Sequence, residues 1–213
     1  MSLKPGSYIA IEGSIGVGKS SLAKLLAKEL EADLILEDPA SNPFLADFYR
    51  DPARWALQTQ LTYLLQRHRQ LAGLLQLDMF RKRTVSDYLF DKDRMFASMN
   101  LQERDLHLYL TLANALATDI PEPDLVVYLQ APTERQMTNL RIRDIPYERQ
   151  ITIEYLQTVT EAYNNFFIHW TRSPLLIINT SRIDFVNNSE QRKRLMDLIL
   201  DFPPGTTYFN PEA

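Results

Sequence analysis

Residues 13–20 read Gly13-Ser14-Ile15-Gly16-Val17-Gly18-Lys19-Ser20, residue types whose spacing suits the grip of a polyphosphate. Glycines allow a tight turn in which successive backbone N–H groups converge on phosphate oxygens. Lys19 can bridge the β- and γ-phosphates, and the Ser20 hydroxyl can ligate Mg²⁺. A helix opening at Lys19, with Ser21 in its first turn, adds unsatisfied donors and a partial positive charge. The pattern carries weight only between a strand and a helix. The flanks supply both, with Tyr8–Glu12 before the loop and a helical pattern after it. Kinases, GTPases and motor ATPases all use such a loop, so the remaining residues must decide among them.

Phosphoryl transfer needs a carboxylate beside the attacking hydroxyl and an acidic group near the metal. Glu37-Asp38-Pro39 and Ser86-Asp87-Tyr88 end two apolar segments. Glu37 suits the first role and Asp87 the second, although either residue could instead cap a helix. The segment Trp55–Leu77 is apolar around much of its circumference, which makes its polar exceptions informative. Gln60 and Arg67 lie seven residues apart, two helical turns, and share a face with Tyr63. A Gln amide pairs with the donor–acceptor edge of a nucleobase, and an Arg with acceptors or a carboxylate. A solvated stripe or a subunit contact is the other reading of that face. Arg141 and Arg143, followed by Glu148 in a polar stretch, could cover a triphosphate and neutralise charge developing in transfer. They could equally belong to an ordinary helix surface.

A common frame must bring these residues together. Five short apolar segments, 7–12, 33–37, 84–88, 124–130 and 174–179, read as buried strands. Helical patterns occupy 19–31, about 53–77, 91–118, 133–142, 152–170 and 189–201. Strands alternating with helices predict an α/β fold, a parallel sheet covered on both faces, with ligands beyond the carboxyl ends of the strands. The tail from Phe202 carries two adjacent prolines, a glycine and no periodicity, and reads as an irregular extension.

At 213 residues the chain fits a single domain over 1–213 with a substantial core. A net charge of −4 argues against general affinity for a nucleic-acid backbone. The absence of cysteine excludes disulfides and thiolate metal sites, and His68, His107 and His169 stand at no metal-ligand spacing. Tyr8–Ile11 is too short for a signal core, and no apolar stretch approaches the length of a bilayer span. The expectation is a cytoplasmic protein with neither membrane nor nucleic acid as partner.

Taken in order, the residues resemble the deoxynucleoside kinase family (deoxyadenosine, deoxyguanosine and deoxycytidine kinases, bacterial type) from Ile9 to about Leu200. The resemblance is carried by Ile11-Glu12-Gly13 through Ser20, Glu37-Asp38-Pro39 and Phe48-Tyr49-Arg50-Asp51-Pro52-Ala53-Arg54-Trp55. Gln60 through Arg67, Ser86–Arg94, Arg141–Glu148 and Ile151–Leu156 continue it. It implies transfer of the γ-phosphoryl group of ATP, with Mg²⁺, to the 5′-hydroxyl of a deoxyribonucleoside. It implies a five-stranded parallel sheet of the phosphate-loop kinase fold and a homodimer formed through long helices. By the same resemblance Glu37 is the general base, and Tyr49 and Glu148 bind the 3′-hydroxyl, with Tyr49 crowding the 2′ position. Gln60, Arg67 and Asp93 look like the base-reading set, which implies adenine, cytosine or guanine. Arg141 and Arg143 look like lid arginines, and the loop Ser181–Phe185, with Asp184 and Phe185, resembles the one that touches the adenine of ATP.

Two positions depart from the family pattern. An Arg commonly follows the acidic residue after the third strand, whereas Tyr88 follows Asp87 here, so that phosphate contact is either missing or supplied elsewhere, with Arg94 or Arg50 as candidates. Ile142 stands where a glycine usually separates the lid arginines. A nucleoside monophosphate kinase or another small-molecule kinase is the alternative, and it would need a basic cluster for the acceptor's phosphate that residues 34–60 do not clearly offer. An inactive, kinase-like binding subunit is the third reading, opposed by the presence of Lys19, Ser20, Glu37 and Asp87 together.

Overall fold

A computed structural model describes residues 3, 4, 6–76 and 82–211, the side chains of 75 and 76 aside. Its strands are β1 (Tyr8–Gly13), β2 (Asp33–Ile35), β3 (Thr84–Ser86), β4 (Leu125–Gln130), β5 (Leu175–Asn179) and β6 (Thr206–Phe209). All pair in parallel in one sheet of order β2-β3-β1-β4-β5-β6. The helices are α1 (Lys19–Leu30), α2 (Leu45–Arg50), α3 (Pro52–Ala72), α4 (Lys92–Asn100), α5 (Glu103–Ala117), α6 (Thr133–Arg143), α7 (Ile153–Ile168) and α8 (Ser189–Leu200).

The apolar runs that read as strands serve two cores at once, because successive side chains leave a strand on opposite faces. Tyr8, Ala10, Val126, Tyr128, Leu175 and Ile177 face one core, which Leu64 of α3, Tyr109 of α5 and Tyr163 and Phe167 of α7 complete. Ile9, Ile11, Val127, Leu129, Leu176 and Ile178 face the other, against Leu22 and Leu26 of α1 and Leu195 and Ile199 of α8. A one-residue slip in register would send every one of these side chains to the wrong layer.

The strand order decides where the site lies. From β1 the chain passes through α1 to the edge strand β2, returns to β3, then crosses over β1 to β4. The loops that leave the carboxyl ends of β1, β3 and β4 therefore converge at a switch point, where such sheets open a crevice. Those loops carry residues 14–18, Asp87 and the entry to α6.

Three features differ from the sequence expectation. The tail is not irregular throughout, since Thr206–Phe209 adds a sixth strand beside β5, with Leu175 opposite Thr206 and Ile178 opposite Phe209. Four β-branched and aromatic residues suffice there because a ready-made edge supplies the partner and Gly205 turns the chain at φ 76°. The helical pattern at 91–118 is two helices, with Leu101 extended between α4 and α5. The short helix α2 escaped notice, since six residues are too few for a periodicity to emerge. The expected end of the long helix at Leu77 lies outside the described residues; α3 stops at Ala72 and a 3₁₀ turn follows.

Candidate active site

The glycine loop leaves the end of β1, at the centre of the sheet, and no side chain caps the helix it opens, so the first N–H groups of α1 face the loop. Gly16 has φ 78°, and a Cβ there would lie 2.7 Å from the Gln136 carbonyl oxygen, so only glycine lets the loop press against α6. Asn139 fastens that contact by donating to the Gly16 carbonyl at 2.8 Å. Lys19 Nζ folds back to donate to the carbonyls of Gly13 (2.8 Å) and Ser14 (3.1 Å). Burial and the neighbouring Lys92 lower its pKa to about 8, against the opposing pull of Glu12, Glu37 and Asp87. The Ser14 hydroxyl is buried without a hydrogen-bond partner among the described residues, an orphan that a ligand's oxygen would satisfy. These features fit a polyphosphate.

The two carboxylates lie at the mouth of the loop. The Ser20 hydroxyl donates to Asp87 Oδ2, while Asp87 Oδ1 accepts the Glu37 backbone N–H at 2.7 Å. A hydroxyl and a carboxylate side by side, with no nitrogen or sulfur ligand, form a donor set suited to a hard cation such as Mg²⁺. Glu37 Oε1 accepts from Arg67 through both Nε (2.8 Å) and Nη2. Lys92 Nζ lies 3.1 Å from the same oxygen and 3.3 Å from Oε2. Burial alone would push the Glu37 carboxyl up; the charges of Arg67 and Lys92 outweigh it and hold the group well below the carboxylate range.

Beyond Glu37 a cavity of about 450 Å³ extends between α2, α3 and the turn before α7. Lys19 and Ser20 line one end, while Tyr49, Gln60, Arg67 and Glu148 line the other. Gln60 and Arg67 share the inward face of α3, as their spacing predicts, and both are buried. The Arg67 guanidinium stacks on Tyr63 at 4.7 Å. Asp93 forms an ion pair with Arg67 Nη1 but lies behind it, outside the cavity lining. It can orient the arginine, and direct contact with a base would require movement. Tyr49 packs parallel to Tyr147 at 6.4 Å and edge-on to Tyr155 at 6.3 Å. Burial raises the pKa of its hydroxyl, and Tyr155 and Glu148 add to the effect; a neutral hydroxyl beside a carboxylate offers a donor and an acceptor to an alcohol.

The arginines separate. Arg143 borders both this cavity and the groove over the phosphate loop, and it pairs with Glu148, Nε to Oε2 at 2.9 Å. Arg141 faces neither; it lines a different groove with Met137 and Arg149. Residues two apart on a helix point about 200° from each other, so the two cannot cover one ligand from α6 as it stands. Asp184 and Phe185 do reach the phosphate-loop groove with Ser21, the Phe185 ring lying over Gly18. Neither proposed substitute for the arginine after Asp87 reaches the site. Arg50 is exposed and pairs with Asp47 at 3.3 Å, and Arg94 lines a cavity with Tyr8 and Ile120, at the amino end of the sheet.

Three residues of the site had no reading from sequence. Glu12 is fully buried and accepts from Leu89 N (2.6 Å), Gly13 N (3.0 Å) and the Tyr163 hydroxyl (2.9 Å). Arg135 anchors the loop after β5 by donating to the Ile183 carbonyl at 2.7 Å. Lys92, only 3% exposed, is the first residue of α4. Its signal was present: a lysine at the positive end of a helix opposes the macrodipole, so some other group must hold it there.

A phosphate loop at the centre of the sheet, continuous with a cavity that a carboxylate borders, defines a phosphotransferase with room for a separate acceptor. The chain belongs to the deoxynucleoside kinase family, whose model, described as Deoxynucleoside kinase, matches residues 9–202. A deoxyadenosine kinase of Dictyostelium discoideum is 32% identical over 83% of this chain and 73% of its own. A deoxyguanosine kinase of Bacillus subtilis is 31% identical over 73% of this chain and 76% of its own. A solved deoxyadenosine kinase from M. mycoides shares the fold at TM-score 0.76, with 22% identity over 92% of this chain and all of that one. The chain is thus an enzyme of this family, on a six-stranded rather than a five-stranded sheet. No described helix is long and apolar enough to cross a membrane.

Proposed function

We propose that the chain transfers the γ-phosphoryl group of ATP to the 5′-hydroxyl of a deoxyribonucleoside carrying adenine, guanine or cytosine. The observation that carries this reading is the continuity of the cavity: Lys19 and Ser20 at one end, Gln60 and Arg67 at the other, and Glu37 beside both. The base lies against Gln60 and Arg67, which Asp93 orients, and the deoxyribose 3′-hydroxyl bonds to Tyr49 and Glu148. The names of the two relatives above, a deoxyadenosine and a deoxyguanosine kinase, support purines as the first substrates to try.

Residues 13–21 hold the triphosphate, with Phe185 and Asp184 toward the adenine side. Ser20 and Asp87 would hold Mg²⁺, which when bound offsets charge on the phosphate oxygens. The bond from O5′ to the γ-phosphorus forms as the bond from that phosphorus to the ADP oxygen breaks, and the hydroxyl proton passes to Glu37. A carboxylate stabilised by two cations is a weak base, suited to orienting the hydroxyl and receiving its proton late. That timing fits a loose transition state, in which catalysis is largely positioning and electrostatics. Lys19 and Arg143 meet the charge on the transferred group once Arg143 leaves Glu148.

A homodimer through α3 and α5 belongs to the same reading. Leu65, Leu108 and Leu112 are 47%, 49% and 41% exposed on those two helices, which pack together.

The test is transfer from ATP–Mg²⁺ to each of the four deoxyribonucleosides, with ribonucleosides and monophosphates alongside. Phosphorylation of deoxyadenosine, deoxyguanosine or deoxycytidine is the expected result. Transfer to monophosphates alone, or to nothing, overturns it.

A further inference from the structure

Lys92 does something in this cluster that Arg67 does not. Both Arg67 contacts with Glu37 fall on one oxygen, Oε1. Among the described residues, Oε2 meets a cation only in Lys92, at 3.3 Å. A carboxylate held through a single oxygen is free to swing about that contact; one held through both is fixed in plane and direction. The ammonium is deeply buried, lies 4.0 Å from Glu12 Oε1 and sits 5.6 Å from the Tyr88 ring centroid. Burying a lysine at a helix N-terminus opposes both its hydration and the helix dipole. The position therefore depends on the anions around it, Glu37 and Glu12. Tyr88 supplies a flat, neutral wall, tied by its hydroxyl to Gln70 at 2.6 Å.

We propose that Lys92 is a positioning residue for phosphoryl transfer, fixing the orientation of the Glu37 carboxylate through the oxygen that Arg67 leaves free. The inference rests on the kinase reading above. It divides two tasks within the cluster, with Arg67 facing the base and Lys92 keeping the second carboxylate oxygen aimed.

The experiment is a double-mutant cycle with Lys92→Met, Glu37→Gln and the pair, with Lys92→Arg as rescue, on steady-state kinetics with the preferred deoxynucleoside. Lys92→Met should lower kcat about thirtyfold or more while the KM values for nucleoside and ATP stay within about threefold, the signature of an interaction that acts in the transition state. Lys92→Arg should recover most of the loss. In the Glu37→Gln background the same Lys92→Met change should cost less than about threefold, because no carboxylate remains to aim. Equal losses in both backgrounds, or a loss confined to the nucleoside KM, would assign Lys92 to packing or to base binding and overturn the proposal. Should Lys92→Met not fold, Lys92→Gln, which keeps a donor without the charge, is judged by the same criteria. A wild-type chain silent on every deoxynucleoside overturns the kinase reading instead, and this inference with it.

Discussion

Arg67 touches Glu37, Asp93 and the face of Tyr63 with one planar group. Three partners at fixed angles suit a guanidinium fork and not an ammonium point charge. Arg67→Lys should therefore lower kcat/KM about a hundredfold or more, with both kcat and the nucleoside KM affected; a change under fivefold would refute that role. Glu37→Ala should reduce transfer by a factor of about 10² to 10⁴, the range for removing a positioned acid–base group, while ATP affinity stays within about threefold by calorimetry. Retention of more than a tenth of the activity would exclude Glu37 as the group that receives the proton. At this scale the sequence was legible where chemistry imposes spacing. Gln60 and Arg67 share a face because two helical turns separate them, and the glycine loop follows its pattern. It was illegible where the partner lies far along the chain: nothing near Lys92 in sequence announces Glu37, 55 residues away. No sequence signal showed that Arg141 and Arg143, both read as lid residues, leave α6 on different sides, with only Arg143 bordering the cavity.

Glu12 joins three elements, taking bonds from its own loop, from the β3–α4 connection and from Tyr163 of α7. A hydrogen bond to a buried charged group contributes about 1.5–3 kcal/mol, so Tyr163→Phe should destabilise the fold by about 2 kcal/mol. That loss should appear as a lower denaturant midpoint with an unchanged slope. A midpoint that does not move would mean that the Glu12 oxygen finds another donor. The strands were readable because a two-sided parallel sheet demands unbroken apolar runs, as in Leu125–Leu129. β6 was not readable, because an edge strand with one half-buried face needs only alternation, here over four residues. The break between α4 and α5 is equally quiet in sequence, since Asn100-Leu101-Gln102 contains neither glycine nor proline.

For the whole molecule, the leucines on α3 and α5 make the most direct prediction. Leu108 and Leu112 lie one turn apart on an exposed face, with Leu65 on the neighbouring helix. Replacing Leu108 and Leu112 by Glu should halve the mass seen by light scattering. A wild-type chain that is already monomeric would refute the dimer. No short segment displays such a surface; it exists only once two helices distant in sequence lie side by side.

The ion pair between Arg143 and Glu148 gives the two ligands a shared interest. On the proposed reading, a 3′-hydroxyl that engages Glu148 would free the arginine for phosphate, and a triphosphate that draws the arginine away would bare Glu148 for the sugar. The result is heterotropic linkage, which thermodynamics requires to be symmetric. A non-hydrolysable ATP analogue should bind more tightly when deoxynucleoside is saturating, and the nucleoside should gain by the same factor in return. In Arg143→Ala that factor should fall to about one, leaving two ligands that occupy neighbouring rooms without knowledge of each other.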